Sequence, residues 1–87
     1  MKLTQKVKVQ HSLGIHSRPA AAIVKLLQPC KSEVSFVCKG ETINAKSIMS
    51  ILMLALRKGD QVTIIVEGSD AQVTMDKLLQ AFERPSE

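Results

Sequence analysis

The chain has 87 residues, of which 45% are hydrophobic and 23% charged, and its formal net charge is +4. This length predicts one domain over residues 1–87, too small to enclose a deep substrate cleft, so we expect any function to lie on its surface. The basic balance favours an acidic partner. With two Phe and no Trp or Tyr the chain lacks a base-stacking platform, so nucleic-acid binding is not expected.

The sequence predicts neither export nor membrane insertion. The first ten residues, MKLTQKVKVQ, lack the apolar core of a secretory signal. The longest apolar run, IMSILMLAL, is about half of the roughly 20 residues that a membrane span needs. Cys30 and Cys38 lack C-x-x-C spacing and are compatible with free thiols. We therefore expect a cytoplasmic protein.

The first third of the chain predicts a strand and then a helix. Leu3, Val7 and Val9 alternate with polar residues, as on a half-buried strand. A helical pattern begins at Ala20, just after Pro19, which is tolerated only in a first turn, and Pro29 stops it. The apolar stripe of this helix, spaced i, i+3, i+4 and i+7, consists of Ala20, Ile23, Val24 and Leu27.

The middle third predicts a hairpin and a second helix. Val34, Phe36 and Cys38 alternate along the first arm, and the chain turns at Lys39–Gly40 and returns through Ile43. The second helix is predicted from Ser47 to about Arg57. Its expected end has Gly59 as the first residue beyond the helix, with Arg57 and Lys58 near its negative pole.

The last third predicts a strand, QVTIIVE (61–67), and a third helix. Ser69 and Gln72 have the spacing of a capping box at the start of that helix. The inward residues of the strand are Val62, Ile64 and Val66, and the apolar stripe of the helix consists of Ala71, Met75, Leu78, Leu79 and Phe82.

The element order βαββαβα predicts an α+β fold, an open-faced β-sandwich. Its four-stranded antiparallel sheet carries all three helices on one face, because one two-layer core then buries every apolar stripe. The other face is expected to contact water, since its residues include Thr4, Lys6, Lys8, Glu33 and Ser35.

His16, in the segment GIHSRPAA, lies where a polar loop turns into the first predicted helix. One interpretation is structural, with His16 or Ser17 capping the helix. The other is chemical. The free N–H groups and dipole at a helix start favour an anion and a neutral, nucleophilic imidazole, and Arg18 supplies a guanidinium suited to phosphate oxygens. Together these residues predict a histidine that accepts a phosphoryl group and then gives it up.

Other chemistries are not predicted. The chain has no G-x-x-x-x-G-K-[ST] loop and no glycine-rich dinucleotide motif, so we expect no nucleotide cofactor and a phosphate supplied by another protein. No carboxylate lies between Lys2 and Glu33, which favours a site that does not hydrolyse its own phosphohistidine. The two histidines, His11 and His16, and the two cysteines match no common zinc spacing, so no metal is expected.

GIHSRPAA resembles the phosphorylated-histidine motif of the HPr family, the histidine-containing phosphocarriers of the bacterial phosphoenolpyruvate-dependent phosphotransferase system. GETINAKSIMSILMLA (40–55) resembles the family's segment around its regulatory serine. The resemblance covers essentially the whole chain. It implies that His16 takes phosphate on Nδ1 from Enzyme I and passes it to Enzyme IIA domains, while Arg18 holds the phosphoryl oxygens. We expect a monomer that acts as a carrier rather than as a stand-alone enzyme.

Ser47 has two compatible interpretations. Serine is a good N-cap, which contributes about 1 kcal/mol to a helix. The resemblance also implies phosphorylation of Ser47 by HPr kinase/phosphorylase, which would add negative charge at a helix start and repel an acidic partner.

The second predicted helix is apolar all round, so part of it must be exposed on a one-sided sandwich. A slightly apolar surface is common, but the methionines here favour a docking surface for several partners, with Met49, Leu52 and Met53 exposed and lysines at its rim. The predicted partner-binding residues are Ser17, Ala21, Lys25, Lys46, Ile48, Met49, Leu52 and Met53.

The branch of the family stays open. Leu13–Gly14 before the histidine motif, and ILMLA in the second helix, are closer to the nitrogen-related regulatory branch than to the sugar-transport proteins. A further alternative is a non-catalytic interaction module with the same fold, although the intact His16 and Arg18 argue against it.

Overall fold

A computed structural model describes residues 1–10 and 17–83 of the chain, and within them the order of elements is the predicted βαββαβα. The strands are β1 (Lys2–Lys8), β2 (Glu33–Cys38), β3 (Glu41–Asn44) and β4 (Gln61–Glu67), and the helices are α1 (Ser17–Leu27), α2 (Ile48–Leu54) and α3 (Ala71–Glu83).

The four described strands form one antiparallel sheet in the order β1-β4-β2-β3. β4 lies between β1 and β2, so Ile64 pairs with Gln5 on one side and with Phe36 on the other. The β2–β3 hairpin turns through Lys39 and Gly40, both of which have positive φ, as this tight turn requires. The three described helices cover one face, which confirms the predicted open-faced α+β sandwich.

The core lies between the sheet and the helices. Phe36 on β2 and Phe82 on α3 meet edge to face, with ring centroids 5.5 Å apart. Cys30 and Cys38 are both buried free thiols, and burial is the largest cause of the raised pKa of Cys38. On the opposite face of the sheet, Ser35 is half-buried, whereas Thr4, Lys6, Lys8 and Glu33 are exposed. The alternation read from the sequence therefore separates the two faces correctly.

The predicted end of α2 is wrong. The helix ends at Leu54, and Ala55 adopts the left-handed conformation (φ 53°, ψ 51°) and donates its N–H to the carbonyl of Leu52. Leu56 is only 3% exposed, so the chain leaves the helix early in order to bury that side chain. Gly59 does have positive φ, but in the next turn, where its N–H bonds to the Val9 carbonyl.

The predicted capping box of α3 is also wrong. The helix begins at Ala71, so the residue directly before it is Asp70 and not Ser69. The Gln72 amide does not reach back to the helix start and instead donates to the Asp76 carboxylate, 3.0 Å away. Asp70 is favoured at this position because its carboxylate satisfies donors from another part of the chain.

Asp70 joins the start of α3 to the segment that follows α1. Its carboxylate accepts hydrogen bonds from the backbone N–H groups of Lys31 (2.8 Å) and Ser32 (2.9 Å), and from the hydroxyls of Ser32 and Thr74. These donors, led by the Ser32 hydroxyl, lower the pKa of Asp70 to about 2. The side chains of Ser32 and Thr74 are fully buried, so Asp70 satisfies polar groups that water cannot reach.

An Asp70→Asn variant should therefore lose stability in a pH-dependent way. The pKa of Asp70 is lower in the folded chain than in the unfolded chain, so its contribution is complete above the unfolded pKa, near 4, and is lost as pH falls towards about 2. Urea unfolding at several pH values should show wild type well above Asp70→Asn at pH 7 and nearly equal to it at pH 2. A gap that stays constant over this range would contradict the assignment.

Among the described residues, no helix is long and apolar enough to cross a membrane.

Candidate functional site

α1 begins at Ser17, three residues before the start of the predicted apolar stripe, so Arg18 and Pro19 lie in its first turn. Arg18 is exposed, Pro19 is half-buried and Ala20 is fully buried, which anchors this end of the helix against the core. His16 immediately precedes Ser17 in the sequence and lies outside the described residues, as does the side chain of Ser17. The predicted roles of His16 and Ser17 therefore stay predictions.

The first turn of α1 has the electrostatics of an anion site. It contains no acidic residue, and its basic side chain, Arg18, is exposed. The first N–H groups of a helix have no partner within the helix and carry partial positive charge. Arg18 adds a guanidinium, a group whose geometry suits phosphate oxygens. The described part of this helix end is therefore electrostatically compatible with a negatively charged group.

Ser47 is the N-cap of α2, as the sequence predicted. Its backbone is extended (φ −113°, ψ 116°), and its Oγ accepts the N–H of Ser50 at 3.2 Å. The preceding turn is fixed by Asn44, whose Oδ1 accepts the N–H of Lys46 and whose carbonyl accepts the N–H of Ser47. Ser47 as a whole is half-buried.

α2 presents an apolar surface made of Ile48, Met49 and Met53, which are 40%, 65% and 74% exposed. We call these three residues the α2 surface. Leu52, which the sequence placed among the exposed members, is half-buried against the core. Ile51 and Leu54 are buried beneath the helix.

The two lysines predicted at the rim of this surface, Lys25 and Lys46, differ in their exposure and their contacts. α1 packs against α2, and Ala21 and Lys25 on α1 are exposed. Lys46 is half-buried, and its Nζ donates to the backbone carbonyl of Cys30 at 2.9 Å. Sequence reasoning missed this contact because no local pattern links a lysine to a carbonyl 16 residues earlier.

Within residues 1–10 and 17–83, no group of three or more His, Cys, Asp or Glu side chains could hold a metal ion. Since both histidines lie outside this range, the absence of a metal site stays a prediction.

The fold and the site together define a small open-faced α+β sandwich, with no acidic residue in the first turn of its first helix and an exposed apolar surface on its second. The family model for the PTS HPr component phosphorylation site matches residues 3–84. The chain therefore belongs to the HPr phosphocarrier family.

Individual relatives agree with this assignment. The phosphocarrier protein HPr of Chlamydia pneumoniae is 43% identical over 76 residues, which cover 85% of this chain and 68% of the relative. The HPr-like protein Crh of Bacillus subtilis is 40% identical over 74 residues, covering 85% and 87%. The crystal structure of HPr from Bacillus anthracis superposes with a TM-score of 0.89 at 34% identity, covering 94% and 98% of the two chains.

Some solved relatives are dimers, which bears on the predicted monomer. A crystal structure of Bacillus subtilis Crh, with a TM-score of 0.76 at 38% identity over 91% of each chain, is described as an intertwined dimer with a swapped domain. The fold of this family is therefore compatible with a dimer.

Proposed function

We propose that this protein is a phosphocarrier whose His16 accepts a phosphoryl group from phosphorylated Enzyme I and transfers it to Enzyme IIA-type acceptors. In the first transfer the bond from phosphorus to the donor atom of Enzyme I breaks as the bond to Nδ1 of His16 forms. In the second transfer the bond from phosphorus to Nδ1 breaks as a bond to the acceptor protein forms, which leaves His16 free again. The chain supplies orientation and positive charge for this exchange rather than acid–base chemistry.

The observation that best supports this proposal is the segment GIHSRP, intact in a member of the HPr family and followed by an exposed Arg18 in the first turn of α1. The α2 surface supports a docking role beside it, because flexible, exposed methionines adapt to several partners.

The direct test is incubation with Enzyme I and labelled phosphoenolpyruvate. We expect a label on this chain that is acid-labile and stable to alkali, as a phosphohistidine is. A wild-type chain that takes no label would overturn the phosphocarrier function.

An Arg18→Ala variant should keep its fold and transfer phosphate more slowly. The side chain is exposed, so little packing is lost, but removing an oriented charge from the reacting phosphate raises the barrier by about 2–4 kcal/mol. Rapid-quench measurement of label transfer from Enzyme I would give the rate. The matched control is Arg57→Ala, which removes an exposed arginine beyond α2. Equal rates in the two variants would show that the backbone amides alone hold the phosphoryl group.

We further propose that HPr kinase/phosphorylase phosphorylates Ser47. Ser47 is half-buried at the start of α2, beside the α2 surface, which is consistent with this role, and a phosphate there would repel an acidic partner. With that kinase and ATP, mass spectrometry should find one added phosphate on wild type and none on Ser47→Ala. Ser50→Ala, a change one turn further along α2, should still accept the phosphate. Phosphate on the Ser47→Ala chain would show that the kinase modifies another residue.

A second candidate function is a non-catalytic interaction module. One observation favours it. The chain is 40% identical to Crh, a protein named HPr-like rather than HPr, and 43% identical to the HPr of Chlamydia pneumoniae, so sequence identity hardly distinguishes the two kinds of relative. The labelling experiment separates the two functions. The identity of the acceptors that take the label would separate sugar transport from the nitrogen-related regulatory branch.

The carrier is further proposed to act as a cytoplasmic monomer, formed by one domain over residues 1–87. In support of a single domain, the four described strands form one sheet and the three described helices all cover the same face of it.

A further inference from the structure

The connection that leaves α1 is held by two charged side chains from distant parts of the chain. The carbonyl of Cys30 accepts the Lys46 ammonium at 2.9 Å, and the next two N–H groups, of Lys31 and Ser32, donate to the Asp70 carboxylate. A cation thus binds the carbonyl and an anion binds the amides of one three-residue segment.

Lys46 is itself fixed at its backbone. Its N–H donates to Asn44 Oδ1 at 2.9 Å, in the turn that leads directly to the N-cap Ser47. Its main chain therefore moves with the start of α2, while its ammonium is bound just beyond the end of α1. A positive charge near a helix C-terminus is also favoured by the helix dipole.

We propose that Lys46 is a positioning residue for phosphoryl transfer, which sets how α1 lies against α2 by holding the Cys30 carbonyl. α1 carries Arg18 in its first turn and α2 carries the apolar surface, so a partner that docks on α2 meets the reacting end of α1 only if the two helices keep their spacing. The inference rests on the proposed phosphocarrier function.

The competing interpretation is that Lys46 is a rim cation that binds an acidic partner directly. The two differ in their response to salt. Exposed charges more than a Debye length apart are screened, and that length falls from about 10 Å at 0.1 M to about 3 Å at 1 M salt. A half-buried bond within the chain is screened much less. Lys25, exposed on α1, provides the comparison for a true rim cation.

The first measurement is amide hydrogen exchange in Lys46→Met, which keeps the apolar stem and removes the donor. Exchange at Gln28 and Cys30, whose N–H groups close the end of α1, should become about tenfold faster than in wild type. Lys77→Met, an exposed change on α3, should leave these rates unchanged. Wild-type exchange rates in Lys46→Met would overturn the positioning role without involving Enzyme I.

The second measurement is kcat/KM for phosphate transfer from Enzyme I at about 0.1 M and about 1 M salt. Lys25→Met should lose its deficit at high salt, whereas Lys46→Met should retain a deficit of roughly three- to tenfold, because misplacement is not screened. If wild type is labelled but the two variants have equal kcat/KM at high salt, the positioning role of Lys46 is overturned and the phosphocarrier function is not. An unlabelled wild type would overturn the phosphocarrier function and, with it, any role of Lys46 in transfer.

Discussion

A His16→Ala variant is expected to take no phosphate from Enzyme I and labelled phosphoenolpyruvate, under conditions in which wild type is labelled stoichiometrically. An alanine offers no nitrogen to form the bond to phosphorus, so the effect is complete loss rather than slower transfer. Acid lability and alkali stability of the wild-type label, followed by peptide mapping, would locate it on the imidazole.

The chain provides its own control for this experiment, because it has one other histidine, His11. His11→Ala should be labelled like wild type. Label that persists in His16→Ala and disappears in His11→Ala would move the acceptor to the other ring. Label that persists in both variants would exclude a histidine acceptor.

A Gly68→Ala variant is expected to be strongly destabilised. Gly68 lies between β4 and α3, and an added Cβ would approach the Ser32 Cα to 2.6 Å, closer than packed atoms allow. Ser32 cannot move aside, because it is fully buried and held at its N–H and hydroxyl by Asp70. Overpacking of this kind costs about 3 kcal/mol, a large part of the roughly 5 kcal/mol that stabilises a small domain. Urea unfolding should show a much lower midpoint.

Gly59→Ala separates this steric cost from backbone strain. Gly68 and Gly59 both have positive φ, 157° and 91°, but no atom lies within 4 Å of a Cβ built on Gly59. Its replacement should cost only about 1 kcal/mol, the strain of a left-handed alanine. Equal losses in the two variants would show that the contact with Ser32 relaxes freely.

The fold could be predicted because its apolar patterns are regular. Val62, Ile64 and Val66 recur at alternate positions, and all three are fully buried in β4, an inner strand of the sheet. Helix ends were harder, because they depend on contacts between distant segments. Ala55, and not a glycine, takes the left-handed position, since burial of Leu56 decides where α2 stops.

Contacts between distant segments also explain why the sequence did not reveal the roles of Asp70 and Lys46. Serine and aspartate both favour a helix start. α3 begins directly after Asp70, whose carboxylate accepts the amides of Lys31 and Ser32, and these approach it only in the folded chain. The N-cap Ser47 was predictable because its partner, the N–H of Ser50, lies three residues away. Lys46 was assigned to the rim because its charge is visible in the sequence and its carbonyl acceptor is not.

The two charged side chains that hold the connection after α1 bind the main chain at Cys30 and Lys31, which every amino acid other than proline supplies in the same form. Substitution of either residue by any amino acid other than proline therefore leaves these bonds intact, although the Cys30 side chain must still suit its buried surroundings. Lys46 and Asp70 have no such freedom. A deep mutational scan of this chain would reveal an asymmetry in which Lys46 and Asp70 tolerate few replacements and the exposed Lys31 tolerates many.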